Sequence, residues 1–255
     1  MSVTIAISGK GGTGKSTLAA VVIRWLNEHG RKSVLAVDAD ANVNLNDVLG
    51  AGAVEAVGAI REEMREKVSS LPGGVTKQQY LESKIHRSLL ETERFDLLAM
   101  GRPEGPGCYC YANSLLRDIL ANLSNNYDFV VIDNEAGMEH LSRRTTQRID
   151  FLLIVSDPSV RGVQTAGRIS RLLKELDTRV GRKYLIVNRV RAELPPAVRK
   201  QIADEGLELL AVLPDDEAVW KRDAEGAAAY EVAANSAFYS AVDAMLSRLM
   251  PDVKK

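Results

Sequence analysis

Residues 8–17 read SGKGGTGKST and lie between a short apolar run, Val3 to Ser8, and an amphipathic stretch, Ser16 to His29. The spacing fits G-x-x-x-x-G-K-[ST] from Gly9 to Ser16, with Gly14, Lys15 and Ser16 at its diagnostic end. Glycines at 9, 11, 12 and 14 let backbone N–H groups turn inward around phosphate oxygens, and the helix that follows presents its N-terminal partial positive charge to the same point. Lys15 has the reach and charge for β- and γ-phosphates, and the Ser16 hydroxyl is a ligand for Mg²⁺. Gly9, Lys10, Gly11, Gly12, Thr13, Gly14, Lys15, Ser16 and Thr17 are therefore the expected nucleotide contacts, with ATP or ADP as the ligand. A strand feeding such a loop and a helix leaving it restrict the chain to α/β architectures.

The rest of the chain repeats that alternation. Val3 to Ser8, Ser33 to Asp38, Phe95 to Met100, Asp128 to Asp133, Phe151 to Ser156, Lys183 to Asn188 and Glu208 to Leu213 are each about six residues and mostly apolar on both faces, as buried parallel strands are. Helical patterns lie between them, such as Ser16 to His29 (Leu18, Val22, Trp25, Leu26) and Val163 to Leu176 (Ile169, Leu172, Leu173, Leu176). The expected fold is one α/β domain over residues 1–255, with a mostly parallel sheet of about seven strands and helices on both faces. With 45% hydrophobic and 26% charged residues, the chain is long enough for one such core and carries no linker-like stretch. Residues 51–94, rich in charge (IREEMREKVSS), read as a helical excursion beside the sheet.

Lys10 gives the loop the form Lys10-Gly-Gly-Thr-Gly-Lys15-Ser16, which resembles the deviant phosphate loop of the MinD/ParA and nitrogenase iron-protein class of P-loop ATPases. The resemblance implies a nucleotide-sandwich homodimer in which Lys10 reaches the phosphates held by the partner. It also implies that Asp38-Ala-Asp40-Ala-Asn42 is a first switch, with Asp40 positioning the attacking water near Mg²⁺ and Asp38 in support. Asp133, ending an apolar run, resembles a Walker B carboxylate that holds Mg²⁺ through water. Asn134-Glu-Ala-Gly-Met-Glu-His140 takes the place of a second switch, with Gly137 near the γ-phosphate. Asn188-Arg189 matches the position where the family bonds the adenine edge, and Pro214-Asp215 begins a turn that lines the base. Strand carboxyl ends are where open α/β sheets bind ligands. Lys10, Lys15 and Asp40 are the expected catalytic residues.

Both cysteines fall in GRPEGPGCYCYAN, residues 101–113, one residue apart. A bridge between Cys108 and Cys110 would be strained, and ATP hydrolysis needs no thiol. One C-x-C supplies two soft thiolates, and a two-fold partner brings two more. Four sulfurs suit Zn²⁺ as a tetrahedron or Ni²⁺ as a square plane; the bland alternative is a pair of small buried side chains. With Asp133, Ala136, Gly137, Glu139, His140 and Leu141 in the pattern DxxAGxEHL, the chain resembles the CooC/AcsF group of accessory ATPases. That group loads nickel into carbon monoxide dehydrogenase or acetyl-CoA synthase. The resemblance implies one nickel or zinc ion shared between subunits by Cys108 and Cys110 of each, and a nickel enzyme as client. The close spacing argues against a [4Fe–4S] cluster. His140 is a local hydrogen-bonding group or an extra ligand, and His29 and His86 have no assigned role.

Thirty-three basic against thirty-four acidic residues give a net charge of -1, which advertises neither nucleic acid nor an anionic membrane as partner. No signal sequence or run of roughly 18 apolar residues is present, so a cytoplasmic protein is expected. The rival readings are a ParA-like partition or MinD-like positioning ATPase, and a metal store without activity. The stripe Phe238, Val242, Met245, Leu246 and Leu249 would serve a MinD-like membrane anchor, but packing on the domain is its expected use.

Overall fold

Aliphatic and β-branched residues fill strands that are covered on both faces, and this is the arrangement in the computed structural model, which describes residues 2–30, 33–58, 60, 74, 76–101, 121–134, 148–172 and 179–254. Among these residues eight strands form one sheet: β1 (Val3–Gly9), β2 (Val34–Ala39), β3 (Leu90–Glu91), β4 (Asp96–Ala99), β5 (Phe129–Asn134), β6 (Arg148–Ser156), β7 (Arg179–Val190) and β8 (Leu209–Pro214). Their order is β3-β4-β2-β5-β1-β6-β7-β8, and every neighbouring pair is parallel except β3 with β4. The fold class is the expected one, with eight strands where about seven were expected. The extra one, β3, has two residues at the sheet edge, too few to carry a periodic signal. β6 starts at Arg148, ahead of the expected Phe151, because Asp150 serves the strand as a polar brace. Its Oδ1 accepts from Arg148 Nη2 at 2.8 Å, and its Oδ2 accepts from the Thr4 N–H of β1 at 3.0 Å.

The described helices are α1 (Lys15–Gly30), α2 (Leu45–Leu49), α3 (Lys77–Ser88), α4 (Val160–Leu172), α5 (Pro196–Asp204), α6 (Glu217–Ala224) and α7 (Ala237–Leu249). α1 is buried along most of its length and packs with α2 and α7 on one face of the sheet, where Ile5, Ile7, Leu18, Trp25, Leu45 and Val242 share a core. α3, α4 and α5 cover the other face through Leu81, Ile85, Val163, Ile169, Val198 and Ile202. Layers on both faces agree with the sequence reading. Between residues 51 and 94, α3 begins with a reciprocal cap: Thr76 Oγ1 accepts from the Gln79 N–H at 3.2 Å, and Gln79 Oε1 accepts from the Thr76 N–H at 3.0 Å.

Phe238, Val242, Met245, Leu246 and Leu249 of α7 are all buried against the domain. Each such burial contributes about 1.5–3 kcal/mol, so the stripe is already used in packing. No described helix is long and apolar enough to cross a membrane.

Candidate nucleotide-binding site

β1 runs mid-sheet between β5 and β6, while the chain leaves its carboxyl end for α1 on one face, which opens a crevice at that point. Gly9 ends the strand in tight contact with β6. A Cβ there would stand 2.2 Å from the Val155 carbonyl oxygen, so only glycine fits. Lys10, Gly11 and Gly12 are exposed at the loop tip, whereas Thr13 and Lys15 are buried. Thr13 Oγ1 and Lys15 Nζ both donate to the Lys10 carbonyl, at 2.8 Å and 3.3 Å. The loop is thereby closed on itself, with the Lys15 ammonium inside it.

Asn188 braces this loop from β7. It is 3% exposed; its Nδ2 donates to the Thr13 carbonyl at 2.8 Å, and its Oδ1 accepts from the Arg189 N–H at 2.9 Å. Arg189 has φ +59°, the only described non-glycine residue with positive φ, where the β7–β8 register shifts between Val187 and Val190. The left-handed residue turns the Asn188 amide under the loop at a cost of about 1–2 kcal/mol. The residue expected to read the adenine edge therefore also holds the phosphate loop in place. Gly14 faces it with φ +87°, and a Cβ there would lie 2.5 Å from Asn188 Nδ2. Gly14→Ala is expected to push the amide away and weaken ADP binding about tenfold or more by calorimetry, with the far-ultraviolet circular dichroism unchanged. Unaltered affinity would mean that the brace is dispensable.

Asp38 and Asp133 are register partners at the ends of β2 and β5, so their side chains point to the same face. Asp38 Oδ1 accepts from the Asp40 N–H at 2.9 Å, and its Oδ2 from Asn44 and Leu45, each at 2.9 Å. Burial pushes its pKa up, these three N–H donors oppose that, and the Asp40 charge adds to it. With both oxygens engaged, Asp38 shapes the segment that carries Asp40. Asp40 is half-buried, and its Oδ1 accepts from the Asn42 N–H at 2.8 Å.

Asp133 is 3% exposed, and its Oδ1 has no hydrogen-bond partner among the described residues. Burial pushes its carboxyl up to about 7; the Ser16 hydroxyl and Lys15 ammonium pull it down, while the Asp38 and Asp40 charges push it up. An unpaired carboxylate oxygen deep in a site is costly unless something else satisfies it. Here it lies close to a serine hydroxyl and two further carboxylates, a hard-oxygen donor set that fits Mg²⁺. Asn134, next in sequence, donates from Nδ2 to the Ile7 carbonyl at 3.0 Å and so ties β5 to β1 just ahead of the loop.

Beside the loop opens a cleft of about 740 Å³. It brings together Gly14, Thr17, Asn188, Arg189, Pro214 and Asp215, joining the expected phosphate and base residues in one cavity. Asp215 donates its N–H to the Val190 carbonyl at 3.0 Å, and its Oδ2 pairs with Arg191 Nε at 2.8 Å. Asp216 accepts from the Ala218 N–H at 2.8 Å and the Phe238 N–H at 2.7 Å, capping α6 and α7 together. The cleft also includes Asp157, Pro158, Val219 and Trp220, which the sequence reading did not single out. Asp157-Pro158 follows the end of a strand, a position that the strand-end rule covers. Trp220 stands in the charged run EAVWKRDA, where only its size marks it out. The expected second switch beyond Asn134, with Gly137 and His140, and the cysteines Cys108 and Cys110 lie outside the described residues.

Known proteins agree with this geometry. A model of the CobQ/CobB/MinD/ParA nucleotide-binding domain matches residues 4–229. An uncharacterized ATP-binding protein of Methanocaldococcus jannaschii is 42% identical over 248 residues, 96% of this chain and 98% of that one. The carbon monoxide dehydrogenase accessory protein CooC of Rhodospirillum rubrum is 30% identical over 268 residues, 97% of each chain. Among solved structures, the septum site-determining protein MinD of Pyrococcus horikoshii with Mg-ADP shares the fold, with a TM-score of 0.70 at 22% identity over 100% of this chain and 99% of that one. A closed glycine loop around a buried lysine, strand-end carboxylates beside it and a family match over residues 4–229 lead to one conclusion: the chain belongs to the CobQ/CobB/MinD/ParA family of nucleotide-binding P-loop NTPases.

Proposed function

We propose that the protein is a Mg²⁺-dependent ATPase that binds nickel between two copies of itself and helps insert it into carbon monoxide dehydrogenase or acetyl-CoA synthase. The observation that carries this reading is the coexistence, in one chain, of the Lys10–Lys15 loop and Cys108-Tyr109-Cys110. The full-length relationship to an accessory protein of carbon monoxide dehydrogenase supports it.

In this reading the backbone of Gly9 to Thr17 cradles the phosphates, and Lys15 leaves the Lys10 carbonyl for the β- and γ-phosphates. Ser16, Asp40 and Asp133 hold Mg²⁺, which neutralises charge on the phosphate oxygens when bound. Asp40 orients the water that attacks the γ-phosphorus, and ADP departs with the bridging oxygen. Asn188, Arg189, Pro214 and Asp215 frame the base. Lys10, exposed at the loop tip, senses the partner's ATP, so loss of the γ-phosphate loosens the dimer. Nickel is cargo, held by the four thiolates of two Cys108–Cys110 pairs, and zinc suits the same donors. A tenfold change in metal affinity between the ATP and ADP states needs only about 1.4 kcal/mol of coupling. Free thiolates imply a reducing compartment, hence a cytoplasmic protein. The near-neutral charge and the packed α7 stripe favour a protein client over nucleic acid or membrane.

Cys108→Ser and Cys110→Ser are each expected to abolish binding of one metal ion per two chains, read by elemental analysis of gel-filtered protein, and to leave ADP affinity within about twofold. Metal retained at the same ratio would remove the shared-site reading.

A further inference from the structure

α6 is an eight-residue helix with no buried residue, yet it carries a tryptophan. Trp220 is 68% exposed, more than any other large apolar side chain described; Leu172 follows at 47%. Leaving an indole in water forgoes much of the hydrophobic gain that its area offers, so the face is free to take an occupant. α6 is held firmly. Asp216 caps it, Arg222 Nε donates to the Ala228 carbonyl at 2.7 Å, and Arg222 Nη2 pairs with Glu231 at 2.9 Å.

The occupant follows from where the indole stands. Trp220 lines the same cleft as Gly14 and Thr17 of the phosphate-loop segment. Three polar side chains around the base end are already engaged: Asn188 by Thr13 and Arg189, Asp215 by Arg191, and Asp216 by two helix starts. Beside them the cleft offers a heterocycle the flat aromatic face of Trp220. We infer that Trp220 is the platform on which the base of the bound nucleotide stacks, a specificity-determining residue for nucleotides over bare polyphosphate. This rests on the nucleotide site proposed above. Base–aromatic stacking contributes about 1–3 kcal/mol by alanine substitution, so the effect is measurable at a single position.

The chain has two tryptophans, and the other is a built-in control. Trp25 is 0% exposed, with its Nε1 donating to Asp243 Oδ1 at 2.7 Å. Acrylamide quenching of the full-length protein therefore reads Trp220. Saturating Mg-ADP is expected to shield the quenchable component, and Mg-tripolyphosphate, which has no base, is expected to leave it accessible. Trp220→Ala is expected to weaken ADP binding about tenfold (about 1.4 kcal/mol) with tripolyphosphate affinity unchanged, and Trp220→Phe to stay within about threefold of the parent. Wild-type ADP affinity in Trp220→Ala, or shielding that tracks protein concentration instead of ADP, would overturn the stacking role while leaving the nucleotide site intact. Failure of both ADP and tripolyphosphate to bind the parent would overturn the site and the platform together.

Discussion

Replacing Lys15 with alanine is expected to lower ATP hydrolysis by at least about 10²–10³-fold, the usual cost of deleting one preorganised charge-stabilising donor. The side chain is 9% exposed, and its ammonium donates to the Lys10 carbonyl at 3.3 Å. No described carboxylate forms an ion pair with it. A cation buried against one carbonyl contributes little to folding, because desolvation offsets the hydrogen bond. The variant's melting temperature is therefore expected to match or exceed that of the parent. Lys10→Ala should behave differently. Lys10 is exposed at the loop tip, so its loss should preserve ADP affinity while removing the ATP-dependent increase in mass and most of the turnover. Phosphate release and light scattering on both variants check this. Parent-like hydrolysis in Lys15→Ala would contradict the assignment of the loop.

Asp133→Asn is expected to pair a pH-dependent gain of stability with a loss of activity. In the folded, metal-free chain the Asp133 carboxyl titrates near 7, chiefly through burial, against 3.8 for the ordinary side chain. Between those values the folded state keeps a proton that the unfolded state has lost, so stability falls as pH rises and the loss is complete above about 7. The gap from 3.8 to about 7 corresponds to about 4 kcal/mol. The amide carries no charge to desolvate, so without Mg²⁺ and nucleotide the variant should equal the parent near pH 4. At pH 8 it should exceed the parent by about 2–4 kcal/mol in urea unfolding. It should also lose Mg²⁺-dependent hydrolysis, since the unpaired Oδ1 is the feature that fits the cation. A stability difference that is flat in pH would contradict burial as the source of the shift.

The parallel core and the phosphate loop were legible because each leaves a dense local signal. Runs such as Phe129 to Ile132 are apolar on both faces, and SGKGGTGKST joins spacing to a strand-to-helix context. What escaped was decided by pairing. Leu90–Glu91 becomes a strand only because Leu97 and Asp96 stand opposite. Arg148 and Asp150 lie ahead of the expected strand, yet Asp150 extends β6 by bonding the Thr4 N–H of β1, 146 positions away. At the site, the positions of Asp38, Asp40, Asp133 and Asn188 were readable from strand ends, but their division of labour was not. Three backbone N–H groups from residues 40, 44 and 45 converge on Asp38, and a left-handed Arg189 turns Asn188 under the loop. Trp220 was hidden for a related reason. An amphipathic helix normally buries its tryptophan, and only the fold reveals that α6 buries nothing.

The most direct test is nickel content and molecular mass measured together on the same full-length protein, without nucleotide, with Mg-ADP and with a non-hydrolysable ATP analogue. The account predicts a dimer holding one nickel ion per two chains with the analogue, and a metal affinity at least about fivefold different with ADP, the lower edge of ordinary coupling between sites. A monomer that binds nickel equally in all three conditions, or a dimer that binds none, would contradict it.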